Sequence, residues 1–227
     1  MASKPLLLLF GRTPREGEVK TRLCPPLSAA GAAGLYEAFL VDVCAGAKRL
    51  ELALGCTVRL ALTGQPAPGL GEKMGVPLCP QRGADLGERM EEAFREGFAE
   101  GFGPIVLRNS DSPDLEDARV EEAFQLLEGG ACELVLGPDL GGGYYLIGLG
   151  HPEPSLFRGL PLGDHSEGGS VFRRTLDHAL ALGLRVSILK AALDVDLPSD
   201  LEVLQKRLRT SPHLAPNTAA WLDGGIR

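Results

Sequence analysis

The sequence predicts an α/β fold with a mostly parallel sheet and helices on both faces of it. Three observations carry this. The apolar run Pro5–Phe10 breaks into a turn and then a helical pattern, which reads as a strand buried on both faces. Strand-like and helical segments then alternate along nearly the whole chain. Its 227 residues, 44% hydrophobic and 23% charged, have the size and composition of one substantial globular domain.

The elements follow in order. Ser28 is placed to cap a helix whose apolar residues Leu35, Phe39, Val43 and Ala47 recur every fourth position, and the helix ends near Gly55. Thr57–Thr63 alternates and is rich in β-formers, so it is a second strand; Gly64–Gly71, with Pro66 and Pro68, is its exit loop. Val76–Cys79 is a short third strand. From Ala84 onward, Leu86, Met90, Phe94 and Phe98 make one apolar helical face, best explained as core. Pro104–Leu107 is a further buried strand that delivers the chain to Asn109-Ser110-Asp111-Ser112-Pro113.

Val120, Phe124 and Leu127 mark the next helix, stopped at Gly129-Gly130. Leu134–Gly137 is a strand, and Gly141-Gly142-Gly143 leads into Tyr144–Leu149. Ser170–Leu182 is helical, Arg185–Leu189 is the last strand, and Pro198–Leu208 is a closing helix with proline in its first turn. Residues 1–209 thus form the predicted domain. Residues 210–227, with two prolines and weak periodicity, form a C-terminal tail that is either an ordered strap or loose.

Composition excludes several function classes. A net charge of -7 argues against a nucleic-acid partner, which requires a basic face. The five cysteines, Cys24, Cys44, Cys56, Cys79 and Cys132, show no CxxC and no zinc-like spacing, and are expected as free thiols in a cytoplasmic protein. No continuous apolar run of about 18 residues suggests a membrane span, and the opening is a poor signal peptide. Neither GxxxxGK[ST] nor GxGxxG is present, the four histidines lack metal-ligand spacing, and there is no nucleophile elbow.

The chemistry concentrates in loops at strand ends, where open α/β sheets bind ligands. The loop after the first strand carries Arg12, Gly17, Lys20 and Arg22. Lysine supplies a point charge, arginine a bidentate fork, and glycine a close backbone approach, so the loop suits phosphates. A solvated basic turn is the competing reading.

Two acidic turns, Asp111 and the pair Asp194 and Asp196, each follow a buried strand and are expected to converge on the same sheet edge. One or two carboxylates with phosphates suit Mg2+ or Mn2+, although each aspartate is by itself also an ordinary turn or cap residue. Gly141–Gly143 with Tyr144 and Tyr145 can line a ligand pocket or form a tight turn. Gln81, Asp85 and Arg89 stand at a helix start, where capping competes with reception of an anionic group.

In this order, Phe10-Gly11-Arg12-Thr13-Pro14, Gly17, Val19-Lys20-Thr21-Arg22-Leu23, Gln81, Leu86-Gly87-Glu88-Arg89-Met90, Ser110-Asp111-Ser112-Pro113, Gly137-Pro138, Gly142-Gly143-Tyr144-Tyr145-Leu146-Ile147-Gly148 and Asp194-Val195-Asp196 form a recognisable set. The set, spanning residues 5 to about 208, resembles the bacterial small glycosyltransferase-like family, some members tied to arsenosugar biosynthesis. That family lies within the nucleotide-diphospho-sugar transferase superfamily, which also holds the molybdenum-cofactor nucleotidylyltransferases and phospholactate guanylyltransferases.

The resemblance implies a single-domain GT-A type, Rossmann-like three-layer sandwich. It implies nucleotide and phosphate contacts at Phe10, Arg12, Gly17, Lys20, Arg22, Gln81 and Arg89. Catalytic roles fall to Lys20 and Asp111, a metal site to Asp111 with Asp194 or Asp196, and acceptor contacts to Gly142, Gly143 and Tyr144. The expected partners are a nucleotide or nucleotide sugar and a small-molecule acceptor, without nucleic acid or membrane, and with a homodimer left open.

The chain departs from the family pattern at Arg12, where lysine is usual, at Asn109, where glycine is usual, and at Gly141, where aspartate is usual, so that a polar contact to substrate is missing unless Asp139 replaces it. Leu162-Gly163-Asp164-His165 stands where the family has a Trp-Ser-Thr-like stretch. Three readings follow: a metal-dependent glycosyltransferase-like enzyme first, then a nucleotidylyltransferase acting on a phosphorylated small molecule, then a nucleotide-sugar-binding protein with weakened catalysis.

Overall fold

The computed structural model describes residues 3–158 and 170–224. The stretch Leu162–His165, where the family pattern is broken, lies outside them. Seven strands form one sheet: β1 (Lys4–Arg12), β2 (Thr57–Thr63), β3 (Leu78–Pro80), β4 (Phe102–Asn109), β5 (Leu134–Pro138), β6 (Tyr144–Leu149) and β7 (Val186–Ile188). Their order is β3-β2-β1-β4-β6-β5-β7, and every neighbouring pair is parallel except those made by β6. The helices are α1 (Ala29–Leu54), α2 (Leu70–Met74), α3 (Leu86–Ala99), α4 (Asp117–Glu128), α5 (Val171–Ala181), α6 (Pro198–Thr210) and α7 (Pro216–Asp223).

The two-residue period of β1 builds both cores at once. Leu7 and Leu9 pack with α1, α4, α6 and α7, while Leu6, Leu8 and Phe10 pack with Met90 and Phe94 of α3 and Ala179 of α5. The result is the expected three-layer sandwich. Ser28 caps α1 by accepting from the Gly31 amide, and Gly55, at φ +65°, ends it in the left-handed region that glycine tolerates.

Four local expectations change. The exit loop at Gly64–Gly71 contains the start of α2, which the high glycine and proline content concealed. The third strand begins at Leu78 because Gly75 and Pro77 must first turn the chain, and pairing to β2 starts at Leu60 opposite Leu78. Leu86 is 39% exposed, since it is the first residue of α3 and overhangs the core that Met90 and Phe94 fill. Helix α1 is long and apolar enough by composition to span a bilayer, yet its apolar stripe faces the sheet.

Beyond α6 the chain forms α7 and docks it on α1. Asp42 of α1 accepts from the Asn217 amide (3.0 Å) and side chain (2.7 Å), and from the Thr218 amide (2.8 Å) and hydroxyl (2.7 Å). It thereby caps a helix that has no capping side chain of its own.

Candidate functional site

The connections from β1 and β4 leave toward opposite edges of the sheet, so their C-terminal ends open a crevice. The loop after β1, the turn after β4, the turn after β5 and the segment after β7 all reach it. Lys20 stands at the centre. Its backbone takes φ +48°, a left-handed conformation uncommon for a residue with a side chain, and starts the 3-10 turn Thr21–Leu23.

The Lys20 ammonium lies 2.6 Å from Asp111 Oδ1, with only 7% of its side chain exposed. Burial pulls its pKa down, but Asp111, Asp194 and Asp196 outweigh burial and hold it above the ordinary lysine value. Arg22 pairs with Asp196 in the open, and the Val195 amide donates to the Asp111 carbonyl at 3.0 Å. These contacts bring together the basic loop and both acidic turns.

Asp194 has the most perturbed carboxyl of the group. Burial pushes its pKa up to about 7, and Asp111 adds to the rise while Lys20 opposes it. Its Oδ1 accepts from Asn109 Nδ2 at 3.3 Å, whereas Asn109 Oδ1 is buried without a hydrogen-bond partner among the described residues. Asp139 joins from the β5 turn, its pKa also raised by burial. Its Oδ1 accepts from the amides of Gly141 (2.8 Å) and Gly143 (2.7 Å).

Beneath the crevice a hydroxyl ties the two principal loops. Tyr36 of α1 accepts from the Arg12 amide at 2.9 Å and meets Ser110 Oγ at 2.7 Å. Gly11 makes this approach feasible, since a Cβ there would stand 3.1 Å from the Tyr36 hydroxyl, from Ser110 Oγ and from Leu40.

The remaining expected site residues fall into three groups. Arg12 has an exposed side chain, and Gly17, at φ +76°, turns the loop in open space. Gln81 donates to the carbonyls of Gly11 (2.8 Å) and Ala61 (2.9 Å), and Arg89 to those of Gly83 and Ala84 (both 3.1 Å), so both hold backbone. Phe10 is 7% exposed, and the Tyr144 hydroxyl donates to Met90 Sδ at 3.9 Å; both side chains belong to the core. Gly142, at φ +95°, lets the β5–β6 turn close, and its carbonyl accepts from Ser170 Oγ at 2.6 Å.

Among the described residues, no three carboxylate, histidine or cysteine side chains form a ready cation cage. The donor chemistry nevertheless fits a hard divalent ion. Carboxylate oxygens of Asp111, Asp194, Asp196 and Asp139 outnumber the two cations set against them, and the side-chain Oδ1 of Asn109, whose Nδ2 reaches Asp194, lacks a partner among the described residues. Sequence reasoning missed Tyr36 and Arg108, which support this edge from inside the fold. The only signal was a charge placed directly after the apolar run of β4.

Residues 41–164 match the model of a family described as an uncharacterized protein conserved in bacteria, DUF2064. The chain belongs to the DUF2064 family. This DUF2064 chain is 29% identical over 193 residues to phosphoenolpyruvate guanylyltransferase of Rubrobacter xylanophilus, covering 82% of the chain and 87% of that relative. A solved structure from Desulfovibrio desulfuricans G20, described as a nucleotide-diphospho-sugar transferase, aligns with TM-score 0.87 at 30% identity over 98% of this chain and 95% of that one. A cytidylyltransferase from Leptospira borgpetersenii shares the fold at TM-score 0.55 and 14% identity, over 94% of this chain and 97% of that one. The DUF2064 chain therefore sits in the nucleotide-diphospho-sugar transferase and nucleotidylyltransferase superfamily, as its motifs implied.

Proposed function

We propose that this protein is a divalent-metal-dependent transferase working at the phosphates of a bound nucleotide, and that its reaction is nucleotidyl transfer to a small phosphorylated acceptor. The observation that carries the reading is the meeting of Lys20 with Asp111, Asp194 and Asp196 at the C-terminal edge of β1 and β4. The likeness to a guanylyltransferase over most of both chains supports the choice of nucleotidyl transfer.

In this reading the acceptor oxygen attacks the α-phosphorus, the bond from that phosphorus to the bridging oxygen breaks, and pyrophosphate leaves with its electron pair. Lys20, Arg22 and Arg12 neutralise charge gathering on the departing phosphates. Asp111 and Asp194 would hold Mg2+ or Mn2+, which supplies Lewis-acid polarisation of the phosphates when bound. The Gly142-Gly143 turn borders the acceptor side.

A second reading, transfer of a sugar from a nucleotide sugar, is favoured by the TM-score of 0.87 to a nucleotide-diphospho-sugar transferase. The products separate the two. Phosphorus NMR of reactions with nucleoside triphosphates and phosphorylated acceptors should show pyrophosphate, whereas release of nucleoside diphosphate from a sugar nucleotide selects the second reading. Manganese-dependent stabilisation by nucleotides with no turnover on either panel would instead indicate a binding protein. Absence of any nucleotide-induced shift would overturn the site itself.

A further inference from the structure

Arg108 is the last inward-facing residue of β4, two positions after Val106 and on the same face of the sheet. It is 3% exposed, inside the layer of α1 and α4. A guanidinium is costly to bury without an ion-pair partner, and no carboxylate pairs with it among the described residues. Burial pulls its pKa down to about 10, with Asp117 and Asp114 opposing from farther off.

Its hydrogen bonds instead go to two backbone carbonyls. Nε donates to Asn109 O at 3.1 Å and Nη2 to Ser112 O at 2.7 Å. Those carbonyls bracket Asp111. Between them, Ser110 Oγ meets the Tyr36 hydroxyl, and the Asp111 carbonyl accepts from the Val195 amide. Each residue of the turn 109–112 is therefore tied down, the two outer ones by Arg108 and the inner two by Tyr36 and Val195.

We propose that Arg108, assisted by Tyr36, is a positioning residue for the cation site, fixing the turn that aims the Asp111 carboxylate. The inference rests on the reading of Asp111 as a cation ligand. It assigns Arg108 no contact with substrate. Without the guanidinium, the Asn109 and Ser112 carbonyls lose their anchors and the carboxylate samples a range of directions. Groups that orient metal ligands in this way typically change affinity by about 10- to 100-fold when removed.

The test uses the full-length chain with manganese and GTP, reading the ion retained on the protein side in equilibrium dialysis against a protein-free manganese–GTP control. Hydrogen exchange of a peptide covering 108–113 is measured in parallel. Arg108→Met should melt cooperatively, exchange faster in that peptide, and bind manganese about 10- to 100-fold more weakly. Tyr36→Phe, which removes one oxygen from a buried ring, should lose affinity several-fold and keeps the test valid if the Met variant does not fold. Wild-type manganese affinity in the folded variants, with affinity lost in Asp111→Ala, overturns the positioning role and leaves the site reading standing. Wild-type protein that takes up no manganese overturns both.

Discussion

Lys20 Nζ and Asp111 Oδ1 form a buried ion pair 2.6 Å long, closing the crevice between the two loops that would receive a nucleotide and its metal. The ammonium occupies a carboxylate that a divalent ion needs. A nucleotide carrying its own cation would release both groups for their separate tasks.

Exchange of Lys20 for an inbound cation makes Lys20→Met a variant with two opposite effects. Manganese should bind the nucleotide-free variant about tenfold more tightly than wild type, a difference of about 1.4 kcal/mol. Affinity for a nucleoside triphosphate should fall about tenfold or more through the lost phosphate contact. Calorimetric titration with manganese alone and then with nucleotide reads each effect, and unchanged manganese affinity would remove the competition from the argument.

Asp111→Ala should abolish metal-dependent nucleotide binding without unfolding the chain. The partly exposed side chain can be removed without opening the core, and Asp194 and Asp196 still face Lys20. A manganese titration in the presence of nucleotide decides it, and retained affinity would sink the metal assignment.

Asp194→Asn should stabilise the metal-free protein, by an amount set by pH. A carboxyl with a raised folded-state pKa costs nothing below its unfolded value of about 4, where both states are protonated. The cost grows as pH rises and is complete above the folded value of about 7. The variant should therefore gain little at pH 4 and on the order of 2 kcal/mol at pH 8, allowing for partial exposure. Urea unfolding at the two pH values, with chelator present, measures the difference; a gain that shrinks with rising pH would contradict it.

The glycines of the β5–β6 turn differ sharply in tolerance. A Cβ on Gly143 would lie 2.5 Å from Asp139 Oδ2, whereas on Gly141 the nearest atom is 3.4 Å away. Gly143→Ala should cost about 1–3 kcal/mol by overpacking, and Gly141→Ala should be near neutral. Thermal melts of the two variants rank them, and equal Tm values would refute the assignment.

Residues 210–224 continue past α6 into α7, which Asp42 of α1 caps. Asp42→Ala leaves α7 amides without acceptors and should cost about 2–4 kcal/mol. Limited proteolysis should then cut between α6 and α7, while resistance equal to wild type would show that α7 is held by packing alone.

Much of the fold was legible in the sequence because strands buried on both faces and amphipathic helices carry their own periods. Thr57–Thr63 and Tyr144–Leu149 follow their sequence bounds to the residue. Helix α2 and the shifted β3 were not legible, since short elements bordered by glycine and proline are set by the register of their neighbours. The direction of β6 was equally invisible, because apolar alternation is the same for parallel and antiparallel pairing.

The chain by itself determined the layer order, the loops that bear charge and the residue types a phosphate and metal site requires. Tertiary structure alone decided which charges meet. It placed Lys20 against Asp111, joined Asn109 to Asp194, and buried Arg108 and Tyr36 beneath the turn they hold. The physical reason is range: periodicity and capping act within a few residues, whereas these contacts join residues from 74 to 91 positions apart or depend on a strand's burial. Only the closed sheet, with β1 beside β4, brings them to hydrogen-bond distance.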